Sequence, residues 1–274
     1  MRDRPIRTVL FVPGDRPERF AKAVRSGADA VIVDLEDAVA PDRKDAARAA
    51  TIRAVGDGVV LPYVRINASG APGHEADVAA VAELAGSVRL PGVMVPKAES
   101  PEELCAVAER FAPHVEMVAL IETARGWLEA PRIAAAERVT RLAFGAHDLA
   151  ADVGADESAL DVARFQVVVA SRAAGIAAPW DSPFTGFTDP AAVRESAANA
   201  KRLGFGGKLC IHPAQVEPVR AAFSPTAAEI AWARRVIAAD AGAATQVDGA
   251  MVDRPIVERA RRILAEHEMS GEES

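Results

Sequence analysis

Eight short apolar runs recur along the chain, each followed by a stretch of different character, and this recurrence limits the fold more than any other feature. The runs are VLFVP (9–13), AVIVDLE (30–36), VVLPYVRIN (59–67), VMVPK (93–97), EMVALIE (116–122), RLAFG (141–145), IAAPWD (176–181) and KLCIH (208–212). They are nearly continuous rather than alternating, as expected of strands buried on both faces of a parallel sheet. Helical patterns separate them. DRPERFAKAVRSG closes on Gly27, and PDRKDAARAATIRAV opens on Pro41, a residue suited to the first turn of a helix. Eight such units predict an α/β fold, a (β/α)8 TIM barrel, over residues 1–223. An open doubly wound sheet is the rival. It lacks support, because no GxGxxG follows the first run and no phosphate-binding GxxxxGKS/T occurs.

The pattern changes after Phe223. PTAAEIAWARRVIAADAG and RPIVERARRILAEH read as helices, and ATQVDGAMVD between them reads as a loop. Residues 224–274 are therefore expected to form a short C-terminal helical appendage. It has no strand partner and no core of its own, so it should pack on the barrel or on a neighbouring subunit. The polar end, Glu266 to Ser274, is expected to fray.

Composition narrows the classes of function. A chain of 274 residues, half of them hydrophobic, suits one barrel with a large core. A net charge of −7 argues against nucleic acid, whose binders carry a basic face. No apolar run approaches the ~20 residues of a membrane span. MRDRPIRT runs into the first strand without a signal-peptide core. Cys105 and Cys210 have no metal-ligand spacing and read as reduced core thiols, as in a cytoplasmic protein.

In a barrel of this type the active site lies at the C-terminal ends of the strands. The residues standing there are unusually polar. The second run ends in Asp34, Glu36 and Asp37, and the third in Arg65 and Asn67. Lys97, Glu122, His147 with Asp148, Asp181 and His212 follow the fourth to eighth. Glu122 and Asp148 are hard oxygen donors that suit Mg²⁺ completed by water and substrate oxygens. They are equally readable as rim acids held in salt bridges. Zinc is disfavoured, since the five histidines are scattered. Arg65 reads either as an ion-pair partner of the second run's acids or as a planar donor to a carboxylate or thioester oxygen. Lys97 fits an ion pair better than a Schiff base, given those acids. His147 and His212 read as supporting residues. FVPGDRPERF places Gly14 and Arg16 at a helix start, with Lys22 beyond. That suits an anion, or solvated surface charge.

These stretches also carry a family resemblance. LFVPGDRPERFAKA, DAVIVDLEDAVAPDRKDAAR, VRIN, VMVPKAES, ALIETARG, FGAHDLAADVG, GFGGKLCIHPAQV and GAMVDRPIVERA span nearly the whole chain. Together they resemble the citrate lyase β-subunit-like branch of the HpcH/HpaI aldolase family, which includes malyl-CoA and citramalyl-CoA lyases. The resemblance implies Mg²⁺, with Mn²⁺ as a substitute, on Glu122 and Asp148. It implies Arg65 as the substrate arginine, and Phe11, Arg16 and Lys22 at the coenzyme A or substrate entrance. Asp181 and Ser182 match a loop that touches the thioester, and Glu36 and Asp37 residues that order Arg65 and metal-bound water. Asp253 matches an acid delivered from a neighbouring subunit, in a homotrimer or hexamer. The implied reaction is reversible cleavage of a 3-hydroxyacyl-CoA to acetyl-CoA and a 2-oxo acid. The alternatives are a metal-dependent aldolase of free hydroxy-oxo acids and a citrate lyase β-like subunit served by an acyl carrier protein.

Overall fold

The computed structural model describes residues 5–240, 245–247 and 250–269. Eight parallel strands close into a barrel in sequence order, with the last pairing the first. They are β1 (Thr8–Pro13), β2 (Ala30–Asp34), β3 (Tyr63–Arg65), β4 (Gly92–Val95), β5 (Glu116–Ile121), β6 (Val139–Phe144), β7 (Ala177–Asp181) and β8 (Gly207–Cys210). The expected barrel is therefore present. The third strand is much shorter than the run 59–67 because Pro62 has no N–H for a ladder, and pairing starts at Tyr63.

The connecting helices are α1 (Phe20–Arg25), α2 (Lys44–Gly56), α3 (His74–Ser87), α4 (Pro101–Ala108), α5 (Ala124–Ala134), α6 (Ala146–Val153), α7 (Asp161–Ala174), α8 (Pro190–Leu203) and α9 (Val216–Phe223). Helices α1 and α2 are each preceded by a proline-led turn of 3-10 helix, at Pro17–Arg19 and Pro41–Arg43. Gly27 takes φ +80°, as a residue ending a helix does.

Strand parity sorts the side chains. Val9, Ile32, Tyr63, Met94, Val118, Leu120, Ala143, Trp180 and Leu209 fill the barrel interior as one cluster. Their neighbours Leu10, Val12, Val31, Val33, Val64, Val93, Val95, Met117, Ala119, Ile121, Leu142, Phe144 and Cys210 face the helices in a second, larger core. Side chains two residues apart share a face. Each interior residue therefore points to the next inward position, one layer nearer the C-terminal rim: Val9 to Phe11, Ile32 to Asp34, Tyr63 to Arg65 and Leu120 to Glu122. Asp181 follows the interior Trp180 and so faces outward, while Ser182 returns to the interior.

The appendage departs from expectation. Helices α10 (Ala227–Ala239) and α11 (Arg254–Met269) flank a two-stranded antiparallel hairpin, β9 (Thr245–Val247) and β10 (Ala250–Val252), where the sequence suggested a loop. Ala233, Val236, Val252, Val257, Ala260 and Ile263 form a small core of their own. The two helices gain this core because their apolar faces meet each other, which single-helix periodicity does not reveal. Helix α11 also runs on through Glu266–Met269, which were expected to fray. Ser270–Ser274, Asp248 and Gly249 lie outside the described residues. Among the described residues no helix is long and apolar enough to cross a membrane. Both cysteines are free. Cys210 is in the core, where burial pushes its thiol up to about 12, whereas Cys105 is only half-buried on α4.

Candidate active site

A cavity of about 220 Å³ opens at the C-terminal ends of the strands, lined by Phe11, Asp34, Arg65, Glu122, Gly145, His147, Asp148 and Ser182 among others. Parity explains most of this set. Asp34 and Arg65 are direct register partners on β2 and β3. Arg65 Nε donates to Asp34 Oδ1 at 2.8 Å and Nη2 to Asp34 Oδ2 at 2.5 Å. Nη1 stands 2.9 Å from Glu36 Oε2, an ion-pair contact without hydrogen-bond alignment. Phe11 lies 4.9 Å from the guanidinium carbon. The arginine is thus fixed by a bidentate fork and a ring, and its ion pair with the acids of β2 is real. Burial opposes its charge, but Asp34 and then Glu36 outweigh that and raise its pKa further. The two hydrogen bonds to Asp34 occupy two of the guanidinium's five N–H groups, leaving donors for a ligand at the cavity wall.

Glu122 is 2% exposed. Its Oε1 accepts the backbone N–H of Lys97 at 2.8 Å. Lys97 sits in the left-handed region at φ +49°, a conformation that costs free energy in a non-glycine residue. Its ammonium turns aside to Glu36 and to Asp37, 3.5 Å away. Among the described residues no side-chain cation forms an ion pair with Glu122. Burial, then the charge of Glu36, push its carboxyl up to about 8, with Arg65 opposing and Asp148 adding to the rise. Burial likewise raises Glu36, against Arg65 and Lys97. Gly145 makes room for Glu122: a Cβ there would lie 2.5 Å from Glu122 Cβ and 2.7 Å from its Oε2. Asp148 is exposed in the first turn of α6 and makes no hydrogen bond or ion pair with a described residue.

The donor set fits a hard divalent cation. Two carboxylates line one cavity, and burial, with the charge of Glu36 beside it, pushes one of them toward its neutral form. Among the described residues no cluster of three or more His, Cys, Asp or Glu side chains stands ready as a closed metal site. An ion held here would keep several waters or substrate oxygens, as Mg²⁺ does.

The other expected residues separate into groups. Ser182 lines the cavity and accepts the N–H of Ala146 at 2.9 Å. Asp181 is buried on the outer face, 2.5 Å from Lys208 Nζ and 3.1 Å from Arg164 Nε, and does not face the cavity. Glu36 and Asp37 line an adjoining cavity of about 450 Å³ together with Lys44, Arg48, Asn67 and Lys97. Arg16 and Lys22 are exposed on the first βα segment, with Arg16 3.9 Å from Asp15. Asp253 is exposed at the start of α11, where Oδ1 accepts from Ile256 N at 3.3 Å. It lines neither cavity. His147 Nε2 is 3.3 Å from Glu157 Oε2. His212 caps the turn Pro213–Gln215 and stacks on Phe187. The ion pair expected between Arg65 and the second run's acids is made chiefly by Asp34, which shares the inward parity of Ile32. Sequence reasoning missed Gly145, whose need arises only from the Glu122 side chain beside it.

A family model described as HpcH/HpaI aldolase/citrate lyase matches residues 7–213. The chain belongs to the HpcH/HpaI aldolase/citrate lyase family. This family member is 40% identical over 269 residues to a citrate lyase subunit beta-like protein of Mycobacterium tuberculosis, with 93% of each chain covered. It is 36% identical over 278 residues to a (3S)-malyl-CoA thioesterase of Cereibacter sphaeroides, covering 98% of this chain and 95% of that one. Among solved structures it is similar to protein CitE of M. tuberculosis in complex with magnesium, acetoacetate and coenzyme A. The TM-score is 0.83 at 36% identity, with 96% and 98% of the two chains covered. The family resemblance read from the motifs holds, and so does the enzyme class, a carbon–carbon lyase.

Proposed function

We propose that this protein is a Mg²⁺-dependent lyase that reversibly cleaves a 3-hydroxyacyl-CoA thioester, such as malyl-CoA or citramalyl-CoA, to acetyl-CoA and a 2-oxo acid. One observation carries the reading: Glu122 and Asp148, short of positive charge, share a cavity with the pre-oriented Arg65. The similar CitE structure with magnesium, acetoacetate and coenzyme A supports the ligand classes. Bound Mg²⁺ would supply the charge that draws a substrate carboxylate and hydroxyl together and acidifies the hydroxyl.

The chain's own residues do the rest. Glu122 and Asp148 are the protein's ligands to the ion. Glu36 and Asp37 order Arg65, Lys97 and nearby water, and through that water their carboxylates take up the hydroxyl proton. As the Cα–Cβ bond breaks, charge moves to the thioester oxygen, and the remaining N–H groups of Arg65 stabilise it without reorganising. Phe11 and Ser182 wall the cavity, and Arg16 and Lys22 meet the anionic end of the coenzyme. Asp253 protonates the new carbanion from a neighbouring copy in a trimer or hexamer. Its exposure and its absence from the cavity lining of its own chain favour that arrangement. A mixing experiment tests it. Inactive Asp253→Ala and Glu122→Ala subunits, allowed to exchange, should regain part of the activity. No gain despite proven exchange would end the shared-site idea.

A second reading follows from the thioesterase relatives: hydrolysis of the thioester itself. An assay separates these readings. The protein is given Mg²⁺ and malyl-, citramalyl-, hydroxymethylglutaryl- and citryl-CoA, and acetyl-CoA and free CoA are scored. Acetyl-CoA with a 2-oxo acid supports the lyase. Free CoA alone supports the thioesterase, and inertness until an acyl carrier protein is supplied supports a citrate lyase-like subunit. Full turnover in excess EDTA would exclude the metal-dependent mechanism.

A further inference from the structure

The position of Asp148 poses a problem that its own contacts do not solve. It sits on an eight-residue helix, α6, which begins without a side-chain cap at Gly145 and ends at Gly154 with φ +68°. Its carboxylate touches no described partner, so its placement depends on how α6 is held. Ala146 and Leu149 are buried, and Ala146 N donates to Ser182 Oγ. These fix the start of the helix against β7. One further contact ties its far end. Asp152 Oδ2 accepts the backbone N–H of Ala124 at 2.7 Å.

Both ends of that hydrogen bond matter. Asp152 lies four residues after Asp148, on the same face of the helix. Ala124 is the first residue of α5 and lies two residues after Glu122. Its N–H is one of the donors a helix start leaves without an intrahelical partner. Thr123 Oγ1 satisfies Gly126 N, and Asp152 satisfies Ala124 N. A charge-assisted bond therefore joins the segment carrying one metal carboxylate to the helix carrying the other, across 28 residues of sequence.

We infer that Asp152 is a positioning residue, a strut between α6 and the start of α5 that sets the separation of Glu122 and Asp148. The inference rests on the reading of those two acids as metal ligands. Mg²⁺ tolerates little departure from octahedral geometry, so a loosened strut weakens binding although both ligands remain. Groups behind the ligands contribute to metal affinity in this way.

The test uses direct Mn²⁺ binding to the purified full-length protein, by calorimetry and electron paramagnetic resonance, together with thermal midpoints. Asp152→Ala removes the acceptor and should weaken Mn²⁺ about tenfold, while Asp152→Asn keeps an acceptor oxygen and should stay within about twofold of wild type. Glu122→Ala should abolish binding. If Asp152→Ala lowers the thermal midpoint but binds Mn²⁺ like wild type, Asp152 only caps α5 and the strut is wrong. Equal weakening in the alanine and asparagine variants would assign the effect to remote charge, and also overturns it. A wild type that binds no Mn²⁺, or a Glu122→Ala protein that still binds it, would overturn the metal reading beneath.

Discussion

Glu122 and Asp181 are both acids at barrel strand ends, and both are 2% exposed. The surroundings differ. On the β7–β8 side, Asp181 faces outward and gives one oxygen to Lys208 and the other to Arg164. Arg164 in turn reaches Glu157 at 2.6 Å and lies 5.5 Å over the ring of Phe144. On the β5–β6 side, Glu122 faces inward and receives one backbone N–H, with no ion-pair partner among the described residues. Burial alone therefore does not mark a functional carboxylate. A buried acid whose counter-charge the protein withholds does, because the missing charge must come from elsewhere or the group must take up a proton.

That contrast can be broken by mutation. The largest effect is expected at Glu122→Ala, whose kcat/KM should fall roughly 10⁴-fold, about 5 kcal/mol, in steady-state assays. Its urea midpoint should hold or rise, since an uncompensated buried charge is removed. A marked loss of stability would place Glu122 with Asp181 as a structural acid. Asp181→Ala should do the opposite. It strands Lys208 and Arg164 in the interior and should destabilise by ~3–5 kcal/mol in chemical unfolding. Preserved stability there would erase the distinction.

Arg65→Lys sharpens the comparison from the cation's side. The charge is kept, but a lysine cannot hold Asp34 with a fork and still present donors to the cavity. We expect kcat to fall by roughly 10²-fold, ~3 kcal/mol, with KM little changed. A rise in KM alone would reduce Arg65 to a binding residue.

The smallest effect concerns pH. Glu122 is pushed up to about 8 in the folded protein from its ordinary value near 4.5. Its raised folded value means a contribution to stability that is complete below pH 4.5 and lost as pH rises toward 8. Metal-free wild type should thus lose stability relative to Glu122→Gln across that window, followed by denaturant titration at several pH values. Saturating Mg²⁺ should flatten the slope. Parallel curves without metal would show that Glu122 is already ionised and compensated.

The barrel was legible because its strands are apolar on both faces, and the rim acids because charge after such runs stands out. Parity was legible in principle, and it alone separates inward Ser182 from outward Asp181. The partners of Asp181 were hidden for another reason. Lys208 interrupts an apolar strand, and Arg164 sits on a helix 17 residues away, so only the closed fold brings them together. The hairpin β9–β10 escaped because each strand has three residues, too few for a period. The appendage core escaped because it exists only between helices. The left-handed turn at Lys97 has no sequence signature, since glycine or asparagine is the usual tenant of that conformation.

The seam between β1 and β8 bears on the order of events during synthesis. Thr8 pairs with Lys208 and Val9 with Leu209, so the cylinder stays unsealed until some two hundred residues have left the ribosome. Contacts that distant in sequence form slowly, and open strand edges invite mispairing while they wait. By contrast, the apolar core of the segment from α10 to α11 is built from residues close together in sequence. It can settle at once, so the slow step of maturation belongs to the two strands at the seam.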